Sequence, residues 1–191
     1  MALNSPASAT ANAAGDQTIV FDVETQKLAD EVGGWNHIRE MRMAVGVTYH
    51  VLTGQYKAYG EEQARDLIAA LRGADLIVGY NVLRFDYEVL RAYTTDPLTD
   101  VPTVDMLAEL YRCLGWRPSL DNVASATLGV GKSADGVQAV HWFRAGHIAR
   151  VIEYCRHDVE ITWRLFEHGR QHCCVKCWDR SRELITVPVR W

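Results

Sequence analysis

The stretch Ile19-Val20-Phe21-Asp22-Val23-Glu24-Thr25 sets two carboxylates into an apolar, β-branched run. Such a run favours a strand, and in a strand residues two apart point to the same side. Asp22 and Glu24 therefore stand next to each other on one face. Like charges repel, and a carboxylate taken out of water loses its hydration, so a bare buried pair is costly. Two readings meet that cost: the strand end is exposed and the acids are solvated, or a cation sits between them.

Outward from this strand, residues 18–50 read as two strands joined by a loop, the second being the Val- and Tyr-rich run 41–51. A third short strand at 54–60 completes a meander. Residues 61–71 place acids first and Ala64, Leu67, Ile68 and Leu71 at helical spacing, which predicts a helix. The continuous apolar run 74–80 predicts a strand buried on both faces. Beyond it come a helix over 84–93 with Asn81 as its cap, a turn-prone segment at 94–102, and a helix over 106–114 with Asp105 as its N-cap. A short helix follows from the Ser119 cap to Gly129. A long one over 145–168 keeps Ile148, Val151, Ile152, Cys155, Val159, Ile161 and Leu165 in an apolar stripe. A strand meander followed by alternating strands and helices means an α/β fold, a mixed sheet flanked by helices.

The chain has 191 residues, enough for one domain with a sizeable core and too few for two large ones. Hydrophobic residues are 48% and charged residues 23%, values of an ordinary globular domain. No run approaches the ~20 apolar residues that span a bilayer, so no membrane association is expected. Residues 1–16 are rich in Ala, Ser, Asn and Thr, lack a basic start and an apolar segment, and read as a disordered leader. Five cysteines, three of them within 173–177, do not suggest a disulfide scaffold, and a reducing cytoplasm is expected. The net charge of −4 excludes coating nucleic acid by bulk attraction but leaves local contacts open, the cations being 16 Arg against 4 Lys.

Two further acidic motifs stand on other elements. Asp86, in Asn81-Val82-Leu83-Arg84-Phe85-Asp86, falls where a buried strand hands over to a helix, the place at which open α/β sheets gather their ligands. An acid in a helix's first turn also favours the helix dipole, so both readings stay open. Tyr154 and Asp158 are four residues apart on the long helix, one turn apart on one face. They form either a Tyr–Asp hydrogen bond at the domain edge or a metal-binding carboxylate with a phenol beside it.

In order, Asp22-x-Glu24, Asn81-x-x-x-Phe85-Asp86 and Tyr154-x-x-x-Asp158 resemble the motifs of the tyrosine (DEDDy) branch of the DEDD 3′–5′ exonucleases. These are ribonuclease H-like proteins that include the proofreading domains of family A and family B DNA polymerases. The runs 21–25 and 81–86 are especially similar to the family B type, and the resemblance spans about residues 18–169. It implies a ribonuclease H-like mixed β-sheet flanked by helices, and two-metal hydrolysis of DNA or RNA from the 3′ end to nucleoside monophosphates. Oxygen ligands suit Mg²⁺ or Mn²⁺, and two such ions ~3.5–4 Å apart clamp the attacking and leaving oxygens. By the resemblance, Asp22 bridges both ions, Glu24 and Asp158 help hold the ion carrying the attacking water, Asp86 supports the second, and Tyr154 orients or helps deprotonate the water. The other branch places a histidine five residues before the last aspartate. Glu153 stands there, and His157 is only adjacent.

Implied partners are single-stranded nucleic acid or a frayed 3′ end, and a separate polymerase or helicase. The alternative is a catalytically silent ribonuclease H-like protein that binds nucleic acid or serves as an adaptor. Trp35, after two glycines, either stacks on a terminal base or plugs the sheet edge. Asn81 contacts substrate or caps its helix. Arg84, with Arg39 and Arg42, meets phosphates or is solvated or salt-bridged, and Lys132 is a further phosphate candidate. The exonuclease domain is expected over 17–170, with 171–191 a tail or arm. There Cys174-x-x-Cys177, beside His172 and Cys173, has zinc-knuckle spacing but lacks a second pair, so a short strand or docking arm is the simpler expectation.

Overall fold

The computed structural model describes residues 17–131 and 136–191. The leader at 1–16 and Lys132 lie outside the described residues. Five strands form the central sheet in the order β3-β2-β1-β4-β5. β1 (Thr18–Thr25), β2 (Met43–His50) and β3 (Gln55–Gly60) make the antiparallel meander. β4 (Leu76–Gly79) and β5 (Thr103–Asp105) extend it parallel to β1. The sheet is mixed and carries helices on both faces, as the hydrophobic pattern predicts.

Strand alternation decides which face each side chain enters. Ile19, Phe21 and Val23 of β1 join a core with α1 (Ala64–Arg72) and α2 (Asp86–Leu90), where Leu67, Leu71 and Leu90 are fully buried. Each such leucine stabilises the fold by about 1.5–3 kcal/mol. Val20, of opposite parity, enters the second core, beneath α3 (Met106–Leu114), α4 (Leu120–Leu128) and α6 (Ile148–His172). β4 divides in the same way, Ile77 to one core and Val78 to the other. Asp22 and Glu24 share the parity of Val20, so they face α6.

Several boundaries differ from expectation for local reasons. A 3-10 turn at Glu61–Gln63 precedes α1. α2 is only five residues long, because 82–85 are spent in turns. β5, three residues in a proline-flanked segment, is a strand only because β4 pairs with it in parallel. α5 (Gly136–Arg144), which the periodicity did not single out, packs on α6 and β1. Gly146, at φ 74, turns the chain through the left-handed region, so α6 starts at Ile148 rather than near 145. α6 then runs to His172.

After α6 the chain forms a two-stranded hairpin, β6 (Cys174–Trp178) and β7 (Leu184–Pro188), docked on the α4–α6 layer. The Thr127 hydroxyl and Asn122 side chain of α4 bond to the backbone N–H and carbonyl groups of Lys176 and Trp178. Cys174 and Cys177 are three apart on β6 and point to opposite faces, with Cys177 buried in the core. They cannot share an ion, so the zinc-knuckle spacing is not a knuckle. Among the described residues, no helix is long and apolar enough to cross a membrane.

Candidate active site

β4 pairs with β1 only as far as Val20↔Val78. Beyond that point the β4-facing edge of β1 is open, because the chain leaves β4 in a tight turn at Gly79. A Cβ there would stand 2.1 Å from Val82 Cγ1 and 3.3 Å from the Phe21 carbonyl oxygen, so only glycine lets the turn close. Into the opened edge comes Asp86, whose Oδ1 accepts a hydrogen bond from the Val23 N–H at 3.0 Å. A carboxylate thus takes a ladder position midway between Asp22 and Glu24.

The turn that delivers Asp86 is clamped by Asp105. Its Oδ1 accepts from Asn81 N–H at 2.9 Å, and its Oδ2 from Leu83 N–H at 3.0 Å. The same carboxylate caps α3 through Leu107 and Ala108 N–H. Asn81 itself sits at φ 74. It does not cap α2 as predicted: the helix starts at Asp86, Phe85 holds the cap position, and no side-chain cap bond is made. The Asn81 Oδ1 instead accepts a hydrogen bond from the Arg117 guanidinium.

From the other side α6 presents Tyr154, Cys155 and Asp158, all buried. The Cys155 thiol donates to the Asp22 carbonyl at 3.3 Å and to its Oδ2 at 3.4 Å. Tyr154 hydrogen-bonds with Asp158, and its ring meets the edge of Trp142 at 6.2 Å. Asp22, Glu24, Tyr154 and Asp158 line one cavity of about 540 Å³. Leu28, Ala29, Met41, Val137 and Val140 give it apolar walls, and Trp35 and Phe85 stand at its side. Asp86 lies behind β1, sealed from solvent.

The groups around the acids register a concentrated negative field. Burial first, and the Asp22 charge second, push the Asp86 carboxyl well above the usual range. Burial and then Asp158, Glu24 and Asp22 push the Tyr154 phenol far up. Burial, Asp22 and Glu24 do the same to the Cys155 thiol. Asp22, Glu24 and Cys155 place potential ligand atoms within 4.8 Å of one another, the sole such cluster among the described residues. The Cys155 thiol is spent in two bonds to Asp22, which orient that carboxylate. Asp22, Glu24 and Asp158 around the cavity offer carboxylate oxygens, which fit a hard divalent cation.

A sequence model of the RNase H superfamily matches residues 19–169. The chain belongs to the RNase H superfamily. No curated protein matches it. Membership supports a nuclease or nucleic-acid-binding function, and the match covers every acidic residue of the site.

In this RNase H superfamily member the second-tier residues divide. Trp35 does not plug the sheet edge; it is 64% exposed and tilts against Phe85 with ring centres 6.3 Å apart. Arg42 is engaged elsewhere, bonded to Glu61 at 2.5 Å with its guanidinium 4.8 Å over the Tyr93 ring. Arg39 is exposed. Arg84 lines a second groove with Trp35, Ile38, Asn81, Phe85 and Arg117. His157 lines a separate cavity of about 340 Å³ beside Tyr154, with Trp142, Arg150 and Glu153. Sequence reasoning missed the orienting role of Cys155, the turn-clamping role of Asp105 and the presence of Arg117. Helical spacing alone could have found the first, since Cys155 adjoins Tyr154 and lies one turn before Asp158.

Proposed function

We propose that the domain is a metal-dependent 3′–5′ exonuclease of the tyrosine (DEDDy) type. It hydrolyses DNA or RNA from the 3′ end, one nucleoside monophosphate at a time. One observation carries the reading: Asp22 and Glu24 of β1 and Asp158 of α6 line one cavity with the Tyr154 phenol, and Asp86 of α2 is bonded to the strand between the first two. Asp22, Glu24 and Asp158, supported by Asp86, would hold two divalent cations, Mg²⁺ or Mn²⁺. When bound, these supply Lewis acidity to the attacking water and to the departing 3′ oxygen.

The chain's own groups do the rest. Tyr154, hydrogen-bonded with Asp158 and facing the cavity, would orient the attacking water or help take its proton. The apolar walls receive the terminal nucleoside and exclude bulk water from it. Cys155 fixes the rotamer of Asp22, and Asp86 fixes the strand between Asp22 and Glu24.

The test is digestion of 5′-labelled single-stranded DNA and RNA with Mg²⁺, Mn²⁺ or chelator. The expected result is a ladder shortening from the 3′ end, metal-dependent, and reduced about a thousandfold in Asp22→Ala. Oligonucleotide binding with no shortening under any metal would instead establish the catalytically silent alternative.

A further inference from the structure

Two histidines at the far end of α6 take no part in lining the candidate catalytic cavity. His168 and His172 are four residues apart, one turn of the helix, so they share a face. Their ring centres are 4.3 Å apart and the ring planes are tilted by 43°. Among the described residues they are the one pair of imidazoles in contact, and neither makes a hydrogen bond or an ion pair. His37, by contrast, is spent on Glu40. His172 is also the last residue of α6. The chain turns there at Cys173, φ 56, whose N–H bonds back to the Gly169 carbonyl. The outgoing carbonyls make this end of a helix negative, which favours a cation.

An imidazole binds metal through a nitrogen lone pair, and two histidines at i and i+4 on one helical face can hold the same ion. Nitrogens about 2.0–2.1 Å from a tetrahedral ion stand about 3.4 Å from each other. Rings 4.3 Å between centres reach that separation by side-chain rotation alone. Two cations are close to the pair. Lys176 of β6 adds to burial and the His172 ring in holding the His168 imidazole below its usual pKa, and Arg164 stands one turn earlier on α6. Both side chains are exposed and long enough to keep their charges in water, where the repulsion is screened. We propose that His168 and His172 form a chelating site for a late first-row dication, of the class of Zn²⁺ or Ni²⁺. Nitrogen donors select such ions over Mg²⁺, which takes oxygen. Water fills the remaining positions, because no third metal-binding side chain joins the pair among the described residues. The bound ion clips the final turn of α6, just where the chain leaves it for β6.

The experiment is calorimetric titration of the full chain, free of any histidine tag, with Ni²⁺ and with Zn²⁺. His168→Gln and His172→Gln are each expected to weaken one binding event about a hundredfold. Asp22→Asn should leave that event unchanged, which separates it from any ion held by the carboxylates. Lys176→Gln should tighten it about threefold by removing a like charge. Ni²⁺ should raise the melting temperature of the wild type with the logarithm of its concentration, and of neither histidine variant through this site. Co²⁺ bound there should show nitrogen and oxygen ligation, without the charge-transfer band of a thiolate. His172 is exposed and carries the result on its own if His168→Gln disturbs the packing of α6. Unchanged affinity in His172→Gln would overturn the site. So would a loss that follows Cys173→Ser or Cys174→Ser instead, or one confined to Asp22→Asn.

Discussion

Two aspartates hold comparable places in the sheet. Asp86 follows β4 and starts α2; Asp105 ends β5 and caps α3. Both are nearly sealed, at 1% and 4% exposure. Asp105 is surrounded by four backbone N–H donors drawn from two separate turns. Asp86 receives two, the N–H of Val23 and its own, and burial followed by the charge of Asp22 pushes its carboxyl up. The donor count separates their uses. A carboxylate whose lone pairs are all taken by backbone holds a fold together, while one left facing another acid has the electrostatics that a cation would relieve, which is the role proposed for Asp86.

The comparison can be broken most directly at Asp105. Asp105→Ala strands several buried donors, and hydrogen bonds to a charged group contribute about 1.5–3 kcal/mol each, so a loss of at least 3 kcal/mol is expected. Urea denaturation measures it, and a change under 1 kcal/mol would deny Asp105 its structural role. Asp86→Asn should act in the opposite sense. Activity falls about a hundredfold, some 2.7 kcal/mol, while the metal-free protein becomes more stable.

The sign follows from the raised folded-state value. An acid whose folded pKa exceeds its unfolded one, about 4, binds more protons when folded, so stability declines as pH climbs from that value towards the folded pKa. In chelator, wild-type melting temperatures should therefore fall over this window more steeply than those of Asp86→Asn. Mg²⁺ or Mn²⁺ should restore the wild type alone. Parallel curves for the two proteins would refute the assignment.

The smallest effect sharpens the picture around Asp22. Cys155→Val removes a donor of about 1 kcal/mol and should lower kcat about fivefold, with a weaker response to Mn²⁺. Cys155→Ser, which keeps a donor, should recover most of it. Equal losses in both variants would reduce Cys155 to packing.

Much of this was legible in the sequence. β1, α3 and α4 fall where alternation, caps and glycine stops put them, because Ser119, Gly129 and Asp105 act through neighbours close in the chain. What was not legible depends on distant partners. β5 has three residues and no periodicity, and exists through β4. Asn81 has the chemistry of a cap, but its conformation is imposed by Asp105 from 24 residues away. Arg117 reaches the Asn81 side chain across 36 residues. The acids of the candidate site were visible because ionised groups inside apolar runs are conspicuous. Cys155 was less conspicuous, because a thiol reads as one more apolar residue in a stripe, and only its spacing from Tyr154 and Asp158 sets it beside them.

The four bonds from Asn122 and Thr127 to the backbone of Lys176 and Trp178 have a consequence for how the protein behaves in a crowd. A two-stranded hairpin ordinarily offers two raw edges to any extended chain nearby. Here a helix impersonates a third strand, its amide and hydroxyl standing where a neighbour's peptide groups would be. β6 is thereby closed to strand-by-strand self-association. The helix achieves this without adding a strand that would itself need covering.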